Sequence, residues 1–255
     1  MRCIGYSPGV SGVSGLLDTI MQTTKVNYQI LLDNTLRQIE EQGSLPRLLL
    51  HSCCAPCSSY VLEYLSRFFE ITVFYYNPNI ESEAEFEKRF REVERLVAEM
   101  PMEHPVTVIR GKYEPERFYA EVARGYEHVP EGQERCFRCY RQRLTEAAQL
   151  AAEGRYDYFT TTLSISPLKN AQVLNAIGKE LAKTYEVGYL FSDFKKRGGY
   201  QRSIELSRIY SLYRQNYCGC VYSKREQEER AARGELGGCA ACAARAQCAD
   251  SEIRM

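Results

Sequence analysis

Between residues 47 and 184 the chain alternates short β-rich runs with amphipathic stretches, and that alternation constrains its fold more than any other feature. Arg47 to His51, Glu70 to Tyr76, Val106 to Arg110 and Tyr156 to Thr162 read as strands, each followed by a helical pattern. The helices are expected at Asn27 to Glu41, from Pro56 onward, at Glu81 to Met100, and at about Pro115 to Ala123, Tyr140 to Glu153 and Asn170 to Thr184. Phe86, Phe90, Val93, Leu96 and Val97 form the clearest helical stripe. Strands separated by helices need crossover connections, so the expected architecture is α/β with a mostly parallel, doubly wound sheet. Residues 1–25 lack such patterning and are expected to be a flexible segment. Residues 26–224 form a single α/β domain that turns helical, aromatic and basic from about 190, and residues 225–255 form a charged, cysteine-containing peripheral tail.

In an open parallel sheet, ligands gather beyond the carboxyl ends of the strands, where helix N-termini present their N–H groups. Cys53, Cys54 and Cys57 fall at that edge after the first strand, and the turn has none of the glycines that a phosphate cradle wants. Adjacent cysteines suit a mutual disulfide poorly. The chain has eleven cysteines, no signal-peptide block at its start and no apolar run of about eighteen residues. A cytoplasmic, reducing setting without a membrane span is therefore expected, in which clustered thiols point to metal or redox chemistry. A buried structural pair is the bland alternative. Cys136 and Cys139 supply a second group, a C-x-x-C unit opening a helix; with Cys53 and Cys54 they make a four-thiolate set for an iron–sulfur cluster or a structural zinc. A thioredoxin-like pair is the competing reading, against which Phe137, Arg138 and the missing early βαβ context argue. Cys218 and Cys220 are close enough for a strained, easily reduced disulfide and suit a dithiol relay, with further metal ligands or inert thiols as alternatives.

With 33 basic and 33 acidic residues the chain has no global field to attract nucleic acid or membrane, so any basic site is local. Lys195, Lys196, Arg197, Arg202, Arg208 and Arg214 are interleaved with Tyr200, Tyr210, Tyr213 and Tyr217. Cations neutralise phosphates and rings stack on unpaired bases, so the strip suits RNA; a solvated helix face over an aromatic core is the alternative. The hydroxyl-rich stretch Thr160 to Asn170 either lines a polar pocket or caps the next helix.

Five ordered motifs carry a resemblance: HSCCAPCS at 51–58, YYNPNI at 75–80, RCFRCY at 135–140, SISPLKN at 164–170, and DFKKRGGY through YRQNYCGC within 193–220. Over about residues 26–224 the chain resembles the cobalamin-independent epoxyqueuosine reductases of the QueH type. The resemblance implies an adenine-nucleotide-hydrolase-like (HUP, PP-loop-like) fold, a [4Fe–4S] cluster, and reduction of epoxyqueuosine to queuosine at the wobble position of tRNA. It implies Cys53, Cys54, Cys136 and Cys139 as cluster ligands, Cys57 as candidate ligand of one additional iron, and Cys218 with Cys220 as a redox-active disulfide pair. Lys169 joins the basic strip as a candidate tRNA contact, and Asp193 or a nearby tyrosine is the candidate proton donor. The electron donor is not identified by the sequence. An iron–sulfur tRNA thiolation enzyme predicts ATP binding, and a zinc-bound RNA-binding module predicts a colourless protein.

Overall fold

The computed structural model describes residues 26–235. Five parallel strands, β1 (Arg47–His51), β2 (Glu70–Tyr75), β3 (Val106–Arg110), β4 (Tyr158–Thr161) and β5 (Gly188–Tyr189), stand in the order β3-β2-β1-β4-β5. The strand order reverses at β1, so the crevice between the carboxyl ends of β1 and β4 is the topological switch point of the sheet. In register, His51 lies beside Phe74 of β2 and Thr161 of β4. The expected doubly wound α/β fold is the one observed, with β5 a two-residue addition too short to leave a period in the sequence.

The alternation of side chains along β1 divides the core. Leu48 and Leu50 face one layer with α1 (Tyr28–Gln42), α2 (Ala55–Leu65) and α3 (Glu83–Glu99), and Leu49 faces the other with α4 (Glu134–Glu153) and α5 (Ala171–Tyr185). All three leucines are fully buried, each contributing about 1.5–3 kcal/mol. Asn27, Ser82 and Asn170 cap α1, α3 and α5, their side-chain oxygens accepting backbone N–H groups of the first turn. Two more helices, α6 (Gly199–Ile209) and α7 (Val221–Ala232), complete the described chain, and α6 packs on α2.

Two differences from the sequence expectation bear on the site. Helix α4 begins at Glu134, six residues before the expected start, which places Cys136 and Cys139 inside its first turns. Helix α7 crosses the expected boundary at 224. Its Glu226 pairs with buried Arg135 and accepts the Glu131 N–H, so the beginning of the tail is tied to the domain. Residues 1–25, Cys3, Cys239, Cys242 and Cys248 lie outside the described residues. No helix among the described residues is long and apolar enough to cross a membrane.

Candidate metal and redox centre

The chain leaves β1 at His51 and enters α2 at Ala55, with Cys54 as the residue before the helix and Pro56 in its first turn. Pro56 has no N–H to strand and suits that position, while the Cys54 side chain makes no capping bond. This junction brings the sulfurs of Cys53, Cys54 and Cys57 within 4.8 Å of one another, with Cys53 and Cys54 3.8 Å apart. Thiolates about 2.3 Å from a tetrahedral ion stand roughly 3.8 Å apart, so the trio suits a common metal ion. From the turn that follows β4, Thr162 Oγ1 accepts the Cys53 N–H and donates to its sulfur at 3.4 Å. Cys53 is held well below the ordinary thiol range because Cys54 and Cys57 donate to it, with the charge of Arg143 adding to the effect. The same sharing pushes Cys54 up to about 12 and Cys57 well above its usual value. One thiolate stabilised by two neighbouring thiols is a pre-assembled soft donor set.

Beneath it lies a buried polar network. Arg143 of α4 is 1% exposed, donates to Asn77 Oδ1, and places its Nε 3.3 Å from His51 Nε2. His51 Nδ1 lies 2.8 Å from Thr161 Oγ1, and Asn77 Nδ2 donates to the Ser52 carbonyl at 3.0 Å. Burial first, and then the Arg143 charge, push His51 down to about 3, so the imidazole is neutral. Among the described residues Arg143 has no carboxylate partner; the acidic groups it faces are the sulfurs of Cys139, Cys218 and Cys53, of which Cys53 is the one held low. A fully desolvated cation needs a counter-charge, and sulfur supplies it.

The other two cysteine groups approach the same edge. Cys136 accepts the Gly132 N–H at 3.2 Å, and burial pushes it up to about 11 and Cys139 to about 12. Cys139 packs with Cys220, Phe118, Val122 and Ala123, the last three from a π-helical turn, Phe118–Ala123. The loop carrying Cys218 and Cys220 is fastened to the turn after β2. Arg89 donates to the Cys218 carbonyl, the Glu81 N–H donates to the Gly219 carbonyl, and Tyr217 Oη donates to Glu81. Gly219 has φ +133°, and a Cβ there would meet Arg89, Ile80 and Asn79 at 3.1–3.2 Å, so the middle of the C-G-C motif has to be glycine.

Two cavities connect these groups. The larger, of about 460 Å³, is walled by Cys53, Cys54, Cys57 and Cys218 with Leu163, Ile165 and Tyr200. The smaller, of about 20 Å³, is walled by Cys136, Cys139, Cys218 and Cys220. Cys218 lies on both. The close trio therefore consists of Cys53, Cys54 and Cys57, and Cys136 and Cys139 reach the site through the second cavity. Every cysteine among the described residues is a free thiol, Cys218 and Cys220 included.

Several of the expected contact residues have partners within the chain. Lys169 is buried and paired with Glu131 at 2.8 Å, which takes it off the surface strip. Asp193 pairs with Lys195 and lines neither cavity. Arg197 pairs with Asp33, and Arg202 with Glu63 and Glu205. Arg214 and Tyr200 do line the larger cavity, while Lys196 and Arg208 make no ion pair among the described residues. His51, Asn77, Arg89, Glu131 and Arg143 are absent from the sequence-derived site. A buried histidine closing an apolar strand, and asparagines in an N-P-N turn, were the available signals for His51 and Asn77; Arg89 and Arg143 look like ordinary helix-surface arginines until the sheet covers them.

The family profile described as "Epoxyqueuosine reductase QueH" matches residues 48–226. Proteins named epoxyqueuosine reductase QueH are similar over most of the chain. The one from Staphylococcus epidermidis is 41% identical over 81% of this chain and 88% of its own length. The one from Streptococcus pyogenes serotype M1 is 41% identical over 83% of this chain and 84% of its own, and that from Thermotoga maritima 36% over 72% and 93%. The matched span contains the seven site cysteines and the buried arginine network alike, and the chain belongs to the epoxyqueuosine reductase QueH family.

Proposed function

We propose that the cavity walled by Cys53, Cys54, Cys57 and Cys218 receives the epoxyqueuosine nucleotide at the wobble position of a tRNA anticodon loop. The chain is an epoxyqueuosine reductase, an oxidoreductase that yields queuosine in the last step of that nucleoside's synthesis. The observation that carries the assignment of the site is the convergence of three cysteine groups on two cavities that share Cys218. A base has to leave its stack to reach such a recess, and an apolar wall of Leu163, Ile165 and Pro167 beside Tyr200 gives it a surface to lie against.

The donor set fits a [4Fe–4S] cluster. Cys53, Cys54, Cys136 and Cys139 are all free thiols; Cys53 is already held low by its neighbours, and Cys54, Cys136 and Cys139, pushed up, become thiolates when a metal takes the proton's place. Cys57 is the candidate ligand for one additional iron. When bound, these centres supply one-electron transfer and a Lewis-acidic iron. The protein's own part is to hold the nucleotide against the sulfur wall, neutralise the thiolates through Arg143, and keep the Cys218–Cys220 dithiol at the junction of the cavities as a redox pair. Arg214, Tyr200, Lys196 and Arg208 contact the tRNA. The electron donor is a separate partner, and the setting is the cytoplasm.

The test is anaerobic reconstitution with iron and sulfide, followed by single-turnover assay on epoxyqueuosine-containing tRNA with a low-potential reductant. Conversion to queuosine, lost in Cys53→Ser and Cys218→Ser, is the expected result. Stoichiometric zinc in an active protein, or full activity without iron, overturns the cofactor assignment.

A further inference from the structure

Removing an epoxide oxygen as water requires protons as well as electrons, and the mechanism above contains no proton donor. The expected one, Asp193, points its carboxylate at Lys195 and lines neither cavity. Of the groups that do line the larger cavity, Arg89, Arg214 and Arg230 are guanidiniums that do not give up a proton near neutrality. The Tyr217 hydroxyl is committed to Glu81.

Lys169 is different. Its ammonium and the Glu131 carboxylate, 2.8 Å apart, have side chains only 6% and 8% exposed. Together with Cys218, they are the residues that line both cavities. Their positions are fixed by bonds from their own backbone N–H groups. Glu131 is held through its N–H, which donates to both oxygens of Glu226 on α7 at 2.8 and 3.1 Å. Lys169 is held through its own N–H, which donates to the Ser166 carbonyl in the turn that follows β4. A buried lysine costs free energy that a surface lysine does not, and an ion pair between the two sulfur groups is an expensive way to fasten a loop. Burial works against the charge, but the groups around the amine, with the Glu131 carboxylate 2.8 Å away, outweigh it and keep the amine protonated. The hydroxyl of Tyr140, also on the smaller cavity, is buried without a partner among the described residues, so the recess beside Lys169 has an unspent polar group in it.

We propose that Lys169, oriented by Glu131, is the proton donor to the oxygen that leaves the substrate. The proposal rests on the function given above. In the balanced reaction both C–O bonds of the epoxide break, a C=C bond forms between the two carbons, two electrons enter from the reductant, and the oxygen departs with two protons as water. Lys169 Nζ gives the first proton to the oxygen as the first C–O bond breaks. The neutral amine that remains, still held by Glu131, takes a proton from solvent in the larger cavity and gives it up as the second bond breaks.

The experiment compares Lys169→Met, Lys169→Arg and Lys169→Gly with the parent, each reconstituted with iron and sulfide and checked for parental iron content, visible spectrum and affinity for the tRNA. Arginine keeps the positive charge and cannot serve as the acid, so it separates proton transfer from electrostatics. Single-turnover rates are expected to fall about 10²–10⁴-fold in all three variants, with tRNA affinity within a few-fold of the parent. Ethylammonium added to Lys169→Gly is expected to restore part of the rate in proportion to its protonated fraction. Glu131→Gln is expected to be slowed less than Lys169→Met. A parent that converts substrate while Lys169→Arg keeps the parental rate, or a Lys169→Gly variant with parental iron that no amine rescues, overturns the proposal. A parent that leaves the substrate unchanged overturns the function instead.

Discussion

Arg143 and Arg202 have the same side chain and opposite surroundings. Arg202, on α6, has a side chain 39% exposed and is held by both oxygens of Glu63 at 2.6 and 3.0 Å and by Glu205 at 3.1 Å. Arg143, beneath the cysteines, is 1% exposed and has an asparagine, a neutral histidine and thiols for neighbours. Much of the strip that looks basic in the sequence is neutralised by its own carboxylates, as Arg197 is by Asp33 and Lys195 by Asp193. Solvent-accessible pairs such as Arg202 with Glu205 contribute about 0–1 kcal/mol. An uncompensated buried cation is costly by several kcal/mol unless something negative joins it. In a chain of zero formal charge, the place where positive charge is left without a carboxylate marks the place where another anion is expected, and here that place is lined with sulfur.

The largest test of this contrast uses acid. His51 has a folded value of about 3, below the usual 6.5 of an unfolded imidazole. Between those limits the unfolded chain binds a proton that the folded chain refuses, so stability is fully present above pH about 6.5 and is lost as pH falls toward 3. The slope is about 1.4 kcal/mol per pH unit, reaching roughly 4–5 kcal/mol over the window. Urea unfolding of the metal-free protein at pH 7.5, 6 and 5 measures it. His51→Gln should flatten the curve by that slope; a variant as acid-sensitive as the parent would show that the interior is not the source.

The second test asks what Arg143 is for. Arg143→Met should reduce the affinity for reconstituted iron by about 10–100-fold, the usual consequence of removing a group that supports metal ligands. Arg202→Met should bind iron like the parent. Equal iron retention in the two variants, measured by competition with a chelator, would remove the electrostatic role assigned to the buried arginine.

The strand–helix alternation was enough to obtain the fold, because a parallel sheet buried on both faces writes long apolar runs such as Leu48-Leu49-Leu50 between turn residues. The cysteines were visible because three thiols at a strand–helix junction have few structural uses. What the sequence concealed is burial of charge. Arg89, Arg143 and Lys169 have the residue types of a solvated surface, and only the topology shows that the Cys218 loop, the sheet edge and the 125–133 segment close over them. Pairing was concealed for the same reason: Glu63 is 139 positions from Arg202, and Asp33 is 164 from Arg197.

A smaller effect is expected at Gly219. Alanine there has to adopt φ near +133° and press against Arg89 and Asn79, a strain of about 1–3 kcal/mol. Because the Gly219 carbonyl accepts the Glu81 N–H at 2.9 Å, Gly219→Ala should accelerate hydrogen exchange at Glu81 while exchange in β1 and β2 stays as in the parent. Unchanged exchange at Glu81 would mean that the dithiol loop is not fastened where the structure places it.

The smallest effects concern the strip itself. A cation already held by a carboxylate has to surrender that partner before it neutralises a phosphate, whereas Arg214 is bonded to the Ser207 hydroxyl and lines the larger cavity. Arg214→Ala should therefore lower the steepness of tRNA affinity against salt by about one counterion. Arg202→Ala should lower it by less, since its loss also uncovers Glu63. Glu63→Gln provides the converse. It leaves Arg202 with Glu205 as its one carboxylate, so affinity at low salt should rise and the salt dependence steepen. If Arg202→Ala and Arg214→Ala weaken binding equally and Glu63→Gln changes nothing, the ion pairs on α6 open at no cost when RNA arrives, and the contrast between neutralised surface and charged interior would hold only for the free protein.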